Sequence, residues 1–197
     1  MSHFKTIDQT VENILIKEKK SKFIGYAFQI NSIEEAKEKI TFIKTKHASA
    51  NHHCYAYELG INPFKTFRYN DDGEPNNSAG LPIYRQIQSL NITNTLVIVV
   101  RYFGGVKLGI GGLISTYKNT AKETLDHCII KTVPITLEKK LIFNYDSLNI
   151  VMRIIKKHKL KIVEQDLANN CKIKIQIKEE ILNDVLNDFK DYPKIKF

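Results

Sequence analysis

With 197 residues, 43% of them hydrophobic, the chain has enough apolar mass for one sizeable core or two small ones. The opening residues carry no apolar signal-peptide core and no apolar run nears the ~20 residues of a membrane helix, so a cytoplasmic protein with no membrane partner is expected. A net charge of +9 favours polyanionic partners, and three scattered cysteines, Cys54, Cys128 and Cys171, read as buried thiols rather than a disulfide framework or a zinc site.

Two strands joined by a polar turn, Lys19-Lys20-Ser21-Lys22, are expected between residues 10 and 30. Ser32 and Glu35 form a capping box ahead of Ala36, Ile40 and Ile43, which predicts an amphipathic helix over 32–46. A strand over 52–59 sends His52 and Cys54 to one face and His53 and Tyr55 to the other, so these side chains cannot converge on one metal ion. No metal or other cofactor is expected.

The stretch 68–83, RYNDDGEPNNSAGLPI, is a turn by composition. An EF-hand frame with its glycine at Gly73 needs acids where Arg68 and Ala79 stand, so calcium of that kind is excluded. Asp71, Asp72 and Glu74 remain for magnesium, for acid–base chemistry, or for pairing with Arg68, Arg85 or Arg101; pairing and turn-building are the expectation. Ser78 or Asn77 is expected to cap a helix from about 79 to 90, and Ser78 lacks the Gly-x-Ser-x-Gly elbow of a nucleophile.

Residues 96–113, LVIVVRYFGGVKLGIGGL, form the organising stretch. The β-branched run 96–100 predicts a strand buried on both faces or at the middle of a sheet, with Arg101 at its carboxyl end. Gly104, Gly105, Gly109, Gly111 and Gly112 let backbone N–H groups approach a ligand, and Arg101 and Lys107 add charge, so the loop is a candidate anion cradle. A tight packing turn is the equally weighted alternative. Walker and dinucleotide motifs both fail, because Ile110 and Gly111 follow Gly109 and Ile114 stands where a third glycine is needed. A helix is expected from 113 to about 127.

The tail has a different character, with every glycine lying before residue 113. Strands are expected at 135–143, 159–163, 171–178 and 195–197 and helices at 148–155, capped by Asp146 or Ser147, and 182–189. That order is βαββαβ, the ferredoxin-like arrangement, with Lys172, Lys174 and Lys178 on the open sheet face. The expected organisation is therefore α+β in two domains, 1–131 and 135–197.

Four ordered motifs, Lys20-Ser21-Lys22-Phe23-Ile24, HHCYAY at 52–57, DDGEP at 71–75 followed by Ala79-Gly80-x-Pro82-Ile83, and RYFGGVKLGIGGL at 101–113, resemble the YigZ/IMPACT family. The resemblance implies an amino-terminal domain like that of a small-subunit ribosomal protein and domain IV of elongation factor G, followed by a ferredoxin-like domain similar to domain V of that factor. It also implies a link to translation, since eukaryotic relatives regulate the amino-acid-starvation kinase that controls initiation. One departure stands out: Asn77-Ser78 replaces the family's usual glycine followed by threonine or serine, and asparagine tolerates the left-handed backbone such a turn needs.

The leading expectation is a protein, not an enzyme, that binds RNA or the ribosome through a basic cleft. Lys22, Arg68, Arg85, Arg101 and Lys107 would line it, the 104–112 backbone would meet phosphate, and His52, His53, Asp71, Asp72 and Glu74 would support it. No catalytic residue is assigned. The alternatives are an enzyme acting on a phosphorylated small molecule or nucleotide, and a regulator that works through a protein partner.

Overall fold

The β-branched run becomes the middle strand of the larger sheet in the computed structural model, which describes residues 2–168 and 170–197. The chain divides into two units, one of residues 4–133 and one of residues 134–197 together with 2–3. The first comprises β1 (His3–Ile7), β2 (Val11–Glu18), β3 (Ser21–Gln29), α1 (Ile33–Lys46), β4 (His52–Leu59), β5 (Thr66–Asn70), α2 (Gly80–Ser89), β6 (Thr95–Tyr102), α3 (Gly109–Asp126) and β7 (Ile130–Pro134).

Five strands form one sheet in the order β2-β3-β6-β4-β5, every neighbouring pair antiparallel, and β1 pairs with β7 separately. Strand period sorts β6 between two cores. Val97 and Val99 join residues of α2 and α3, including Ile83, Ile87, Tyr117 and Ala121. Leu96, Ile98 and Val100 join Ala36 and Ile43 of α1 on the other face. Arg101, in step with Val97 and Val99, therefore lies on the α2/α3 side, directly across the ladder from His52.

Several elements differ from the sequence reading. The first turn is only Lys19-Lys20, both at positive φ, so Ser21 and Lys22 belong to β3. Helix α3 begins at Gly109 instead of residue 113, which puts Gly111 and Gly112 in its first turn. Strands β1, β5 and β7 were not expected; β5 is an edge strand with little buried side chain, so it lacks the alternation that marks a half-buried strand.

The second unit comprises β8 (Thr136–Asn144), α4 (Leu148–Lys157), β9 (Lys161–Asp166), β10 (Asn170–Lys178) and α5 (Leu182–Lys190), with sheet order β8-β10-β9. The anticipated closing strand reduces to one antiparallel bridge between Lys196 and Ile142. Cys171, Ile173, Ile175 and Ile177 pack on Val151, Ile155, Val185 and Phe189. The opposite face is not simply basic, because Lys172 sits across from Asp166 and Lys174 across from Glu164, with Glu138 bound to Lys174 at 2.6 Å.

Candidate functional site

The site is built at the carboxyl end of β6, where strand, loop and helix meet a cleft of about 380 Å³. Arg101 is 5% exposed, and its Nη1 donates to Glu74 Oε1 at 2.6 Å. Tyr117, reaching up from α3, donates to the same oxygen at 2.8 Å. The guanidinium is held between the rings of Phe23 and Phe103, with 5.4 Å from its central carbon to each centroid. Its Nε is buried with no hydrogen-bond partner, an arrangement that costs about 1–3 kcal/mol unless a ligand supplies an acceptor.

This ion pair neutralises Arg101, so the free positive charge expected of that residue is absent from the cleft. Burial keeps the Tyr117 hydroxyl protonated well above the usual phenol range, reinforced by Cys54 and Glu74. The Cys54 thiol is likewise pushed up, chiefly by burial, and its Sγ lies 3.0 Å from the Asp71 carbonyl oxygen. Neither group is a nucleophile at neutral pH.

The acidic loop is occupied in holding itself together. Asp71 accepts from the N–H groups of Asn77, Ala79 and Gly80, so it caps α2 in place of Ser78 or Asn77; Ser78 instead donates to the Pro75 carbonyl. Asp72 accepts from Lys44 Nζ at 2.9 Å and from the His53 N–H at 2.7 Å. Burial alone would raise its pKa, but these partners outweigh it and the carboxyl is held below its ordinary value. Asn77 takes the left-handed conformation that the departure from the family pattern requires, at φ 61°. These acids do not pair with Arg68 or Arg85.

His52 lines the cleft, and His53 does not. A carbonyl can only accept, so His52 Nδ1 is the donor in its 2.8 Å contact with the Asp72 oxygen, and Nε2 lies 3.9 Å from Glu74 Oε1. His53, on the other sheet face, is 3.1 Å from the His47 carbonyl oxygen through Nε2. The same parity corrects the basic cleft. Lys22 is paired across from Tyr102 and Arg68 across from Tyr57, both on the α1 side, while Arg85 is exposed on α2; none of the three lines the cleft. Among the described residues no group of three or more His, Cys, Asp or Glu is placed to hold a metal, and no helix is long and apolar enough to cross a membrane.

The glycines separate by cause. A Cβ on Gly104 would fall 2.1 Å from the Lys20 carbonyl carbon, and the Gly104 N–H donates to Ser21 Oγ, so this glycine fits the loop against the β2–β3 turn. Gly105 and Gly109 have positive φ. Gly111 has neither reason, since its φ is ordinary and a Cβ would meet nothing within 4 Å. A glycine there costs helix α3 up to about 1 kcal/mol against alanine without serving the packing.

The end of α3 is correspondingly bare. Leu108 at the cap position makes no side-chain hydrogen bond and the first turn carries no acid, whereas α1 is capped by Ser32 and α2 by Asp71. Gly109 and Ile110, at the start of this uncapped helix, line the cleft beside the exposed Lys107, so the unpaired N–H groups of the first turn and the helix dipole lie at its edge. No sequence signal distinguished Gly111 from its neighbours; only the space around each glycine does.

The family model described as the Impact N-terminal domain matches residues 19–125. IMPACT family member YvyE of Bacillus subtilis is 39% identical over 122 residues, 62% of this chain and 55% of that protein. An IMPACT family member of Haemophilus influenzae is 32% identical over 169 residues, 83% of this chain and 80% of its own. The chain thus spans about half the length of YvyE and four-fifths of the Haemophilus protein. A crystal structure of a hypothetical protein superposes with a TM-score of 0.79 at 24% identity, covering 100% of this chain and 96% of that one, which shows a shared fold. With its Gly-rich and DDGEP motifs folded around one cleft inside the matched region, the chain belongs to the YigZ/IMPACT family.

Proposed function

We propose that the protein binds RNA or the ribosome, in a role tied to translation, and that phosphate is received at the amino end of α3. One observation carries this reading: an uncapped helix end whose Gly109 and Ile110 line the cleft together with Lys107, followed by a glycine, Gly111, that the fold does not require. The net charge of +9 supports attraction of a polyanion. The translational setting rests on the family resemblance. The finer fold assignments belong to the same reading: residues 1–131 as the domain IV type of elongation factor G, and 135–197 as a ferredoxin-like module, supported by the order β8-α4-β9-β10-α5 and the Lys196 bridge.

The test is co-sedimentation with ribosomes and with RNA across a salt series. Lys107→Ala is the informative variant, because Lys107 is exposed, whereas replacing Arg101 would strand Glu74. Association that falls steeply with salt and weakens in the variant is the expected result. No association at low salt, even for the wild type, overturns the reading and redirects the search to nucleotides and metabolites. An enzyme that holds magnesium on the acidic loop is disfavoured by the partners already engaging Asp71 and Asp72.

A further inference from the structure

The proportions of the cleft narrow what part of an RNA it receives. A groove that tracks nucleic-acid backbone is long, open and lined by successive cations. This one is a pit of about 380 Å³ whose lining includes a single lysine, Lys107, and whose walls include Pro75, Phe103, Ile110 and Leu113. Phe103 and Ile110 are 45% and 59% exposed, leaving an aromatic face and an aliphatic side chain at the mouth.

The floor offers mixed hydrogen-bonding groups. Arg101 contributes a buried Nε–H without a partner. Glu74 makes its hydrogen bonds through Oε1, and among the described residues none reaches Oε2. His52 donates through Nδ1 to the Asp72 carbonyl, so its neutral ring presents an acceptor at Nε2. A donor and two acceptors beneath apolar walls, with a bare helix end at the mouth, complement a flat heteroaromatic ring that carries a phosphate.

Resting on the RNA reading above, we propose that the cleft takes one unstacked nucleotide of a single-stranded RNA. The base stacks on the Phe103 face that the guanidinium leaves free, with its edge toward Glu74, Arg101 and His52, and the phosphate meets the N–H groups at the start of α3 and Lys107. A duplex hides base edges and faces, so the site selects single strands.

The test is fluorescence anisotropy with the full chain and three probes: a labelled mixed-sequence RNA hexamer, an all-abasic hexamer with the same backbone charge, and the hexamer in duplex. The expected result is binding of the intact single strand at least about tenfold tighter than either other probe, in line with the worth of one base stacked on an aromatic ring. Phe103→Leu, which keeps the apolar contact and removes the ring, abolishes that preference in protein shown by circular dichroism to be folded. Equal binding of intact and abasic strands, both weakened by Lys107→Ala, overturns base insertion while leaving phosphate reception intact. No binding of any probe at low salt overturns both.

Discussion

The loop at 71–78 and the loop at 103–108 flank one cleft and treat their polar groups in opposite ways. In the acidic loop each carboxylate is engaged: Asp71 on three backbone N–H groups, Asp72 on Lys44 and His53, Glu74 on Arg101 and Tyr117. In the glycine loop the first two N–H groups are anchored, Phe103 to Asn51 and Gly104 to Ser21, and the helix end that follows is left bare. The conspicuous charges are thus scaffold, and what the glycine loop leaves unpaired is largely backbone.

Three substitutions sharpen or break that contrast. Glu74→Ala leaves Arg101 buried without its counter-charge and is expected to cost about 3–5 kcal/mol in urea unfolding; a loss under about 1 kcal/mol would mean the pair behaves like a surface ion pair and is not scaffold. Asp71→Ala removes the cap of α2 and is expected to cost about 1–2 kcal/mol, read as a lowered unfolding midpoint. Gly111→Ala reverses the sign. It should stabilise by about 0.4–1 kcal/mol while weakening RNA binding, and stabilisation with binding unchanged would remove the bare helix end from the reception surface.

Much of the fold was legible where a local pattern has one physical cause. The β-branched run at 96–100 reads as a buried strand and forms the middle of β6, and Ser32 marks the start of α1 because its hydroxyl accepts the Glu35 N–H at 3.0 Å. The second half of that box shifted by one residue, since Glu35 reaches the N–H of Asn31. The start of α3 was missed because glycines at 109, 111 and 112 read as loop, and a helix tolerates them where tertiary packing holds its later turns.

The site was legible in parts but not as an assembly. Arg101, Glu74 and His52 stood out as residue types, yet their meeting depends on the β4–β6 register, which pairs His52 with Arg101 across more than one intervening element. The opposite fate of Lys22 and Arg68 has the same origin, because a strand sends neighbouring side chains to opposite faces. Charge alone carries no parity.

The anchoring of Phe103 and Gly104 also bears on how this surface can diversify. Their N–H bonds to Asn51 and Ser21, together with the close passage of Gly104 over Lys20, clamp the exit of β6 to two distant stretches of chain. Between that clamp and the first turn of α3 lie only residues 105–108. Substitutions at 106–108 change the surface beside the helix end without disturbing a single rung of the sheet, so that surface and the sheet are separately mutable here.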